Sequence, residues 1–151
     1  MRSLMNSFIA FYLGGTMFSE GRIYMFRVPE GEEFIRYMHE FLEREGIEVG
    51  IVNAIGTLKD PKIGYFLEGE KRYKVIELRG TYEIASLIGN ISLKDGRPFL
   101  HAHVVLGNSE GKAFGGHLIE GRVLVAEVFV LELKGERLER KMTEKGLALW
   151  P

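Results

Sequence analysis

Phe99-Leu100-His101-Ala102-His103-Val104-Val105-Leu106 sets its two histidines two apart between apolar residues, and that period of two is the signature of a β-strand. Leu100, Ala102, Val104 and Leu106 fall on one face and read as core. His101 and His103 leave the other face side by side, in the company of Phe99 and Val105. Shortly after comes Gly115-Gly116-His117, which brings a third of the chain's four histidines into the same neighbourhood. Gly-Gly is read as a turn whose freedom at positive φ aims His117 inward. Three imidazoles gathered in this way form a half-cage for a divalent metal or a shared polar pocket.

Working outward, further strands are expected at Arg22 to Val28, Val49 to Ile55, Ile63 to Leu67, Tyr73 to Leu78, Tyr82 to Ile91 and Arg122 to Leu133. Turn chemistry separates them at Lys59-Asp60-Pro61, Glu68-Gly69-Glu70, Arg79-Gly80, Lys94-Asp95-Gly96, Asn108 to Gly111 and Ile119-Glu120-Gly121. A single helix follows Pro29-Glu30-Gly31-Glu32-Glu33, whose carboxylates suit a helix start. Phe34, Ile35, Met38, Phe41 and Leu42 give it one apolar face, and Glu45-Gly46 ends it. Many strands with one helix predict an α+β fold with a mainly antiparallel sheet, in a single domain.

The 151 residues suffice for one domain with a proper core, and the net charge of -1 offers no general attraction to phosphate backbones. Cysteine is absent, so disulfide and thiolate chemistry are excluded. Glutamine is also absent and Glu far outnumbers Asp, a balance resembling that of hyperthermophile proteins. The stretch from Met1 to Leu13 is too short to span a bilayer and makes a poor signal peptide. Residues 1–16 are read as an N-terminal extension, 17–143 as the domain and 144–151 as a C-terminal tail. The protein is expected in the cytoplasm, with no membrane partner.

Glu127 interrupts an apolar run from Val123 to Leu131 that reads as a central strand. A buried carboxylate requires a partner, and the histidine cluster, Arg122 and Arg97 are the candidates. The alternative is an exposed sheet face or a subunit contact. Glu83 is read as a hydrogen-bonded structural carboxylate, and His39 as a solvated or half-buried structural residue. Gly96-Arg97-Pro98 matches the core tripeptide of an AT-hook, but Asp95 and Phe99 flank it, so it reads as a hairpin turn. Neither a nucleophile elbow, a phosphate-binding loop nor a dinucleotide fingerprint is present.

Gly80-Thr-Tyr-Glu-Ile-Ala-Ser-Leu-Ile-Gly89, Asp95-Gly-Arg-Pro-Phe-Leu-His-Ala-His103 and Gly115-Gly-His-Leu-Ile-Glu-Gly121 together resemble the plants-and-prokaryotes conserved (PPC) domain. Pro29-Glu-Gly-Glu33 and Asn53-Ala-Ile-Gly-Thr57 fit its earlier blocks, so the likeness runs from Arg22 to Leu133. The resemblance implies a strongly bent antiparallel sheet and assembly as a homotrimer. It also implies that His101, His103 and His117 occupy the His-x-His and Gly-Gly-His positions of prokaryotic members, which plant relatives generally lack. Plant members carry AT-hooks beside the domain and act in DNA-binding proteins; prokaryotic ones are labelled DNA-binding by analogy.

Two functions follow as expectations. The first is a homotrimeric binding or regulatory protein with weak DNA contact and a histidine metal site, zinc being the metal expected. The alternative is a small zinc-dependent enzyme in which Glu127 serves as general base or as a carboxylate hydrogen-bonded behind the ligands.

Overall fold

The computed structural model describes residues 15–151, so all but the last two residues of the N-terminal extension lie outside the described residues. Eight strands and one helix follow in the order β1 (Phe18–Arg27), α1 (Phe34–Glu45), β2 (Gly50–Leu67), β3 (Arg72–Glu77), β4 (Thr81–Lys94), β5 (Arg97–Gly107), β6 (Ala113–Gly135), β7 (Glu139–Met142) and β8 (Ala148–Leu149). β2 pairs antiparallel with β4 on one side and with β6 on the other. β5 in turn bridges β4 and the start of β6. The four strands therefore close on themselves, and the inside of this ring carries Val52, Ala54, Leu87, Leu100, Ala102, Val104, Leu106 and Val130, all buried. The α+β expectation and its antiparallel sheet hold; the parallel contact of β7 with the end of β4 is the exception.

α1 is fixed at both ends by its own sequence. The Glu33 carboxylate accepts hydrogen bonds from the backbone N–H groups of Ile35 (3.1 Å) and Arg36 (2.7 Å), so it caps the helix instead of standing in its first turn. It also accepts from the Gly121 N–H at 3.1 Å, tying the helix start to β6. Gly46 ends the helix in the left-handed conformation, φ 65°, and Ile47 N–H returns to Leu42 O at 2.9 Å. Phe34, Met38, Phe41 and Leu42 are buried, the face read from the spacing.

Two expected turns are instead bends inside long strands. Lys59-Asp60-Pro61 and Ile119-Glu120-Gly121 lie opposite one another, with Lys59 paired to Arg122 and Lys62 to Glu120. Asp60 takes a positive φ of 47°, and its carboxylate accepts from the Gly80 N–H at 2.7 Å. Turn-forming residues here bulge two strands together without ending them, which bends the sheet as the family likeness implied. The Asp95-Gly96 turn, by contrast, is a two-residue hairpin as read, both residues at positive φ.

The buried carboxylate of β6 is Glu132, not Glu127. Glu132 is 2% exposed and accepts from Arg22 N–H (3.0 Å), Arg22 Nε (2.7 Å), Arg22 Nη2 (3.0 Å) and Lys134 Nζ (2.8 Å). The Arg22 guanidinium holds the Glu132 carboxyl down to about 2, from an ordinary 4.5. An unfolded chain therefore takes up this proton first as pH falls, and the stabilisation present above pH 4.5 is lost towards pH 2. Glu132→Gln should cost about 2 kcal/mol at neutral pH, discounting for the half-exposed arginine. Urea melts at pH 7 and pH 3 check this: the gap between wild type and variant should shrink at pH 3, and an unchanged gap would contradict it.

Candidate metal centre

His101 and His103 project from the outer face of β5, opposite the buried Leu100, Ala102 and Val104. β6 runs antiparallel beside them and places His117 directly across from His103. The ring centroids stand 5.0 Å apart for His101–His103, 5.0 Å for His101–His117 and 5.8 Å for His103–His117. One nitrogen from each lies within 4.8 Å of the others.

The Gly-Gly hinge expected to deliver His117 is not one. Gly115 and Gly116 are strand residues paired with Val105 and Val104, and neither has positive φ. Gly116 is needed for close approach: a Cβ there would lie 2.7 Å from the carbonyl oxygen of Gly64 in β2. Strand register alone brings His117 to the cluster.

His101 Nε2 and His117 Nδ1 are buried and have no hydrogen-bond partner. Such orphaned nitrogens are costly in a folded protein unless something else binds them. Burial first, then the neighbouring His117, Arg140 and His103, holds His101 down to about 4. Burial and then His103 likewise lower His117. Both are thus neutral near pH 7, the form that ligates a metal. His103 is exposed, which leaves the cluster open on one side. The donor set, three imidazoles with one nitrogen of each converging, fits Zn²⁺ or a similar borderline ion.

Several residues around the cluster carry no local signal that would single them out. Tyr73 of β3 stacks on His117 at 4.9 Å between centroids. Asn90 of β4 pairs across from His101, and Ile51 and Ile88 complete an open depression of about 510 Å³ with His101 and His103. Arg140 of β7 is 8% exposed and donates to Asn90 Oδ1 (2.6 Å), Ser92 Oγ (2.8 Å) and Ala148 O (3.1 Å). The segment set off as a tail folds back here: β8 pairs with β7, and Trp150 Nε1 donates to Ser92 Oγ at 3.1 Å. Arg140 follows the apolar run of β6 in a Lys/Arg/Glu-rich stretch, where nothing local distinguishes it from a solvated arginine.

The other acidic readings need correction. Glu127 is exposed, pairs in register with Arg27 and Ile55, and makes no hydrogen bond or ion pair among the described residues. It is absent from the histidine cluster, so the exposed-face alternative is the one realised. Glu83 is exposed too and makes no side-chain hydrogen bond among the described residues, so it is not a hydrogen-bonded structural carboxylate. His39 is structural as read: its Nε2 accepts from the Leu100 N–H at 3.1 Å and anchors α1 to β5.

The sequence profile of the Plants and Prokaryotes Conserved (PCC) domain matches residues 15–134. This chain belongs to the PPC family. Its fold is similar to that of the Pyrococcus horikoshii plant- and prokaryote-conserved protein, at 67% identity and a TM-score of 0.88, covering 89% of this chain and 94% of that one. A protein of Archaeoglobus fulgidus described as metal-containing is 42% identical, with a TM-score of 0.87 over 91% of this chain and 98% of its own. A Bacteroides thetaiotaomicron structure, described provisionally as that of a DNA-binding protein, is 29% identical with a TM-score of 0.80, covering 89% of this chain and 97% of its own. No curated protein matches the chain significantly. Among the described residues of this PPC chain, no helix is long and apolar enough to cross a membrane.

Proposed function

We propose that this chain is a self-associating PPC protein that holds a divalent metal, zinc in the first instance, on His101, His103 and His117. One observation carries the reading: two buried imidazole nitrogens without partners, converging with a third. A metal supplies the missing partner and would act as a Lewis acid with one position left for a further ligand. The metal-containing relative from Archaeoglobus fulgidus supports it. Elemental analysis of freshly purified protein should find zinc equimolar with the chain. Folded protein that stays metal-free after zinc supplementation would reduce the cluster to a polar pocket.

The self-association half rests on the outer sheet face. Ile51, Ile55, Ile88, Val105 and Val125 expose 43%, 57%, 66%, 42% and 45% of their surface. Large apolar side chains exposed on the outer face of a sheet normally mark an interface. A homotrimer, as the family likeness implies, would cover part of this face. Light scattering in dilute solution should return three times the chain mass, and a stable monomer would end this part of the reading.

DNA contact belongs to the proposal only as a weak, non-specific property. The net charge is -1, and the exposed lysines and arginines of the sheet are interspersed with glutamates. Mobility shifts should therefore disappear steeply as salt rises. A salt-resistant, sequence-selective complex at nanomolar protein would show that the surface has been misjudged.

A hydrolytic enzyme is the second reading, favoured by three ligands on a cluster whose exposed side is His103. Glu127 is withdrawn as its general base, because it lies exposed and outside the cluster. Turnover of an ester or phosphoester by zinc-loaded protein, abolished in His103→Ala, would establish this reading over the first.

A further inference from the structure

Arg140 is a buried cation with no anionic partner. Its three hydrogen bonds go to a hydroxyl, a side-chain amide oxygen and a backbone carbonyl, all neutral, and no carboxylate among the described residues ion-pairs with it. A guanidinium has five N–H donors, so donors remain on its terminal nitrogens after these bonds are made. Stacking over Phe99 (5.8 Å) and Trp150 (5.2 Å) compensates part of the burial, but aromatic faces do not neutralise a charge. A pin for the β7–β8 hairpin would need only the hydrogen bonds and the stacking, and neither supplies a counter-charge.

The position of that charge is informative. Asn90, which accepts from Arg140 Nη2 at 2.6 Å, is the cross-strand neighbour of His101 and lines the open depression together with His101 and His103. Arg140 therefore stands behind Asn90, beside the depression onto which the histidines open and close enough to lower the His101 pKa. No Asp or Glu lines that depression; its other residues are Ile51, Ile88 and Gly89. A divalent ion on three neutral imidazoles would add two further positive charges. Metal and arginine together would form a strongly positive site with no carboxylate of the same chain, among the described residues, to balance it, in partly buried surroundings where the imbalance is least screened.

We infer that this depression binds a small oxyanion, with Arg140 as its cationic partner and one anion oxygen directed at the metal position. The inference rests on the metal reading above. The ligand class is a carboxylate or a phosphate: both offer oxygens that a guanidinium recognises, and both can complete the coordination of a three-histidine metal.

The test uses the full-length chain loaded with cobalt(II), whose visible absorption reports the metal's ligands. Sodium acetate and sodium phosphate are titrated in separate arms, with sodium chloride at matched ionic strength as control. Saturable spectral change with acetate alone assigns carboxylates; with phosphate alone, phosphates; with both, oxyanions generally. Arg140→Met should take up cobalt at least as tightly as wild type but bind the active anion about tenfold more weakly, the loss of one charge-assisted hydrogen-bond partner. A residue serving only to pin the hairpin would lower the melting temperature and leave the anion affinity alone. Should Arg140→Met fail to fold, Arg140→Lys replaces it, because a compact ammonium cannot keep the three bonds and still meet an anion. Cobalt uptake with a spectrum insensitive to both anions would overturn the inference and spare the metal reading. Failure of the wild type to take up cobalt would remove both. Wild-type anion affinity in the folded Arg140 variant would also overturn it.

Discussion

His103→Ala should weaken zinc binding on the order of 10²–10³-fold while leaving the chain folded. A structural zinc site of four ligands is worth about 10–16 kcal/mol in all, so one ligand carries roughly 3–4 kcal/mol. His103 is the exposed member of the cluster, and its strand is anchored from the opposite face by Leu100, Ala102 and Val104. Its removal therefore costs little packing. Competition titration against a chromophoric chelator measures the affinity, and thermal melts with and without zinc check the coupling. Zinc at a hundred times its dissociation constant should stabilise the wild type by about 2.7 kcal/mol, and the same concentration should hardly move the variant. A His103→Ala protein that kept wild-type zinc affinity would show that the metal sits elsewhere.

Gly56→Ala should be the most damaging single methyl in the molecule. Gly56 has φ +146° at the point where the pairing of β2 with β4 slips past Ala54. A Cβ there would stand 2.1 Å from the carbonyl oxygen of Val125 and 2.7 Å from its carbon. Both atoms are backbone of the neighbouring β6, so relief requires separating two central strands. The combined clash and backbone strain should cost at least about 3 kcal/mol, which is roughly 6–12 °C of melting temperature for a domain of this size. Gly115→Ala is the control: the nearest atom to a Cβ there is 3.4 Å away, and its melting temperature should change by a few degrees at most. Equal losses in the two variants would mean that β2 and β6 are not held in this register.

Glu127 and Glu132 of β6 show how far a local pattern reaches. Gly121 and Val123 are buried, so simple alternation would bury Glu127 as well. Between Val123 and Val125, however, the pairing with β2 shifts by one residue. Beyond that bulge the even positions Ala126, Val128, Val130 and Glu132 face inward, and Glu127 turns to the outside. A single unpaired residue exchanges the faces of everything after it. The carboxylate that needed a partner was real, but it was Glu132, and Arg22 of β1 is its partner.

His101 and His103 needed no such correction, because two residues of one uninterrupted strand share a face by covalent geometry. The helix is equally local: the apolar spacing, the Glu33 cap and the Gly46 stop all lie within or beside its own twelve residues. What the sequence by itself determined was therefore the α+β class, the helix, the paired histidines and membership of the PPC family, each written in short-range periods or ordered blocks. The tertiary structure alone decided that His117 arrives by strand register, that β2 and β6 bend without breaking, and that the last residues fold back to bury Arg140 beside the histidines. These depend on pairings between separate strands, from 14 positions apart for His103 and His117 to 63 for Lys59 and Arg122, and such pairings are selected by the packing of the whole sheet rather than by any local preference.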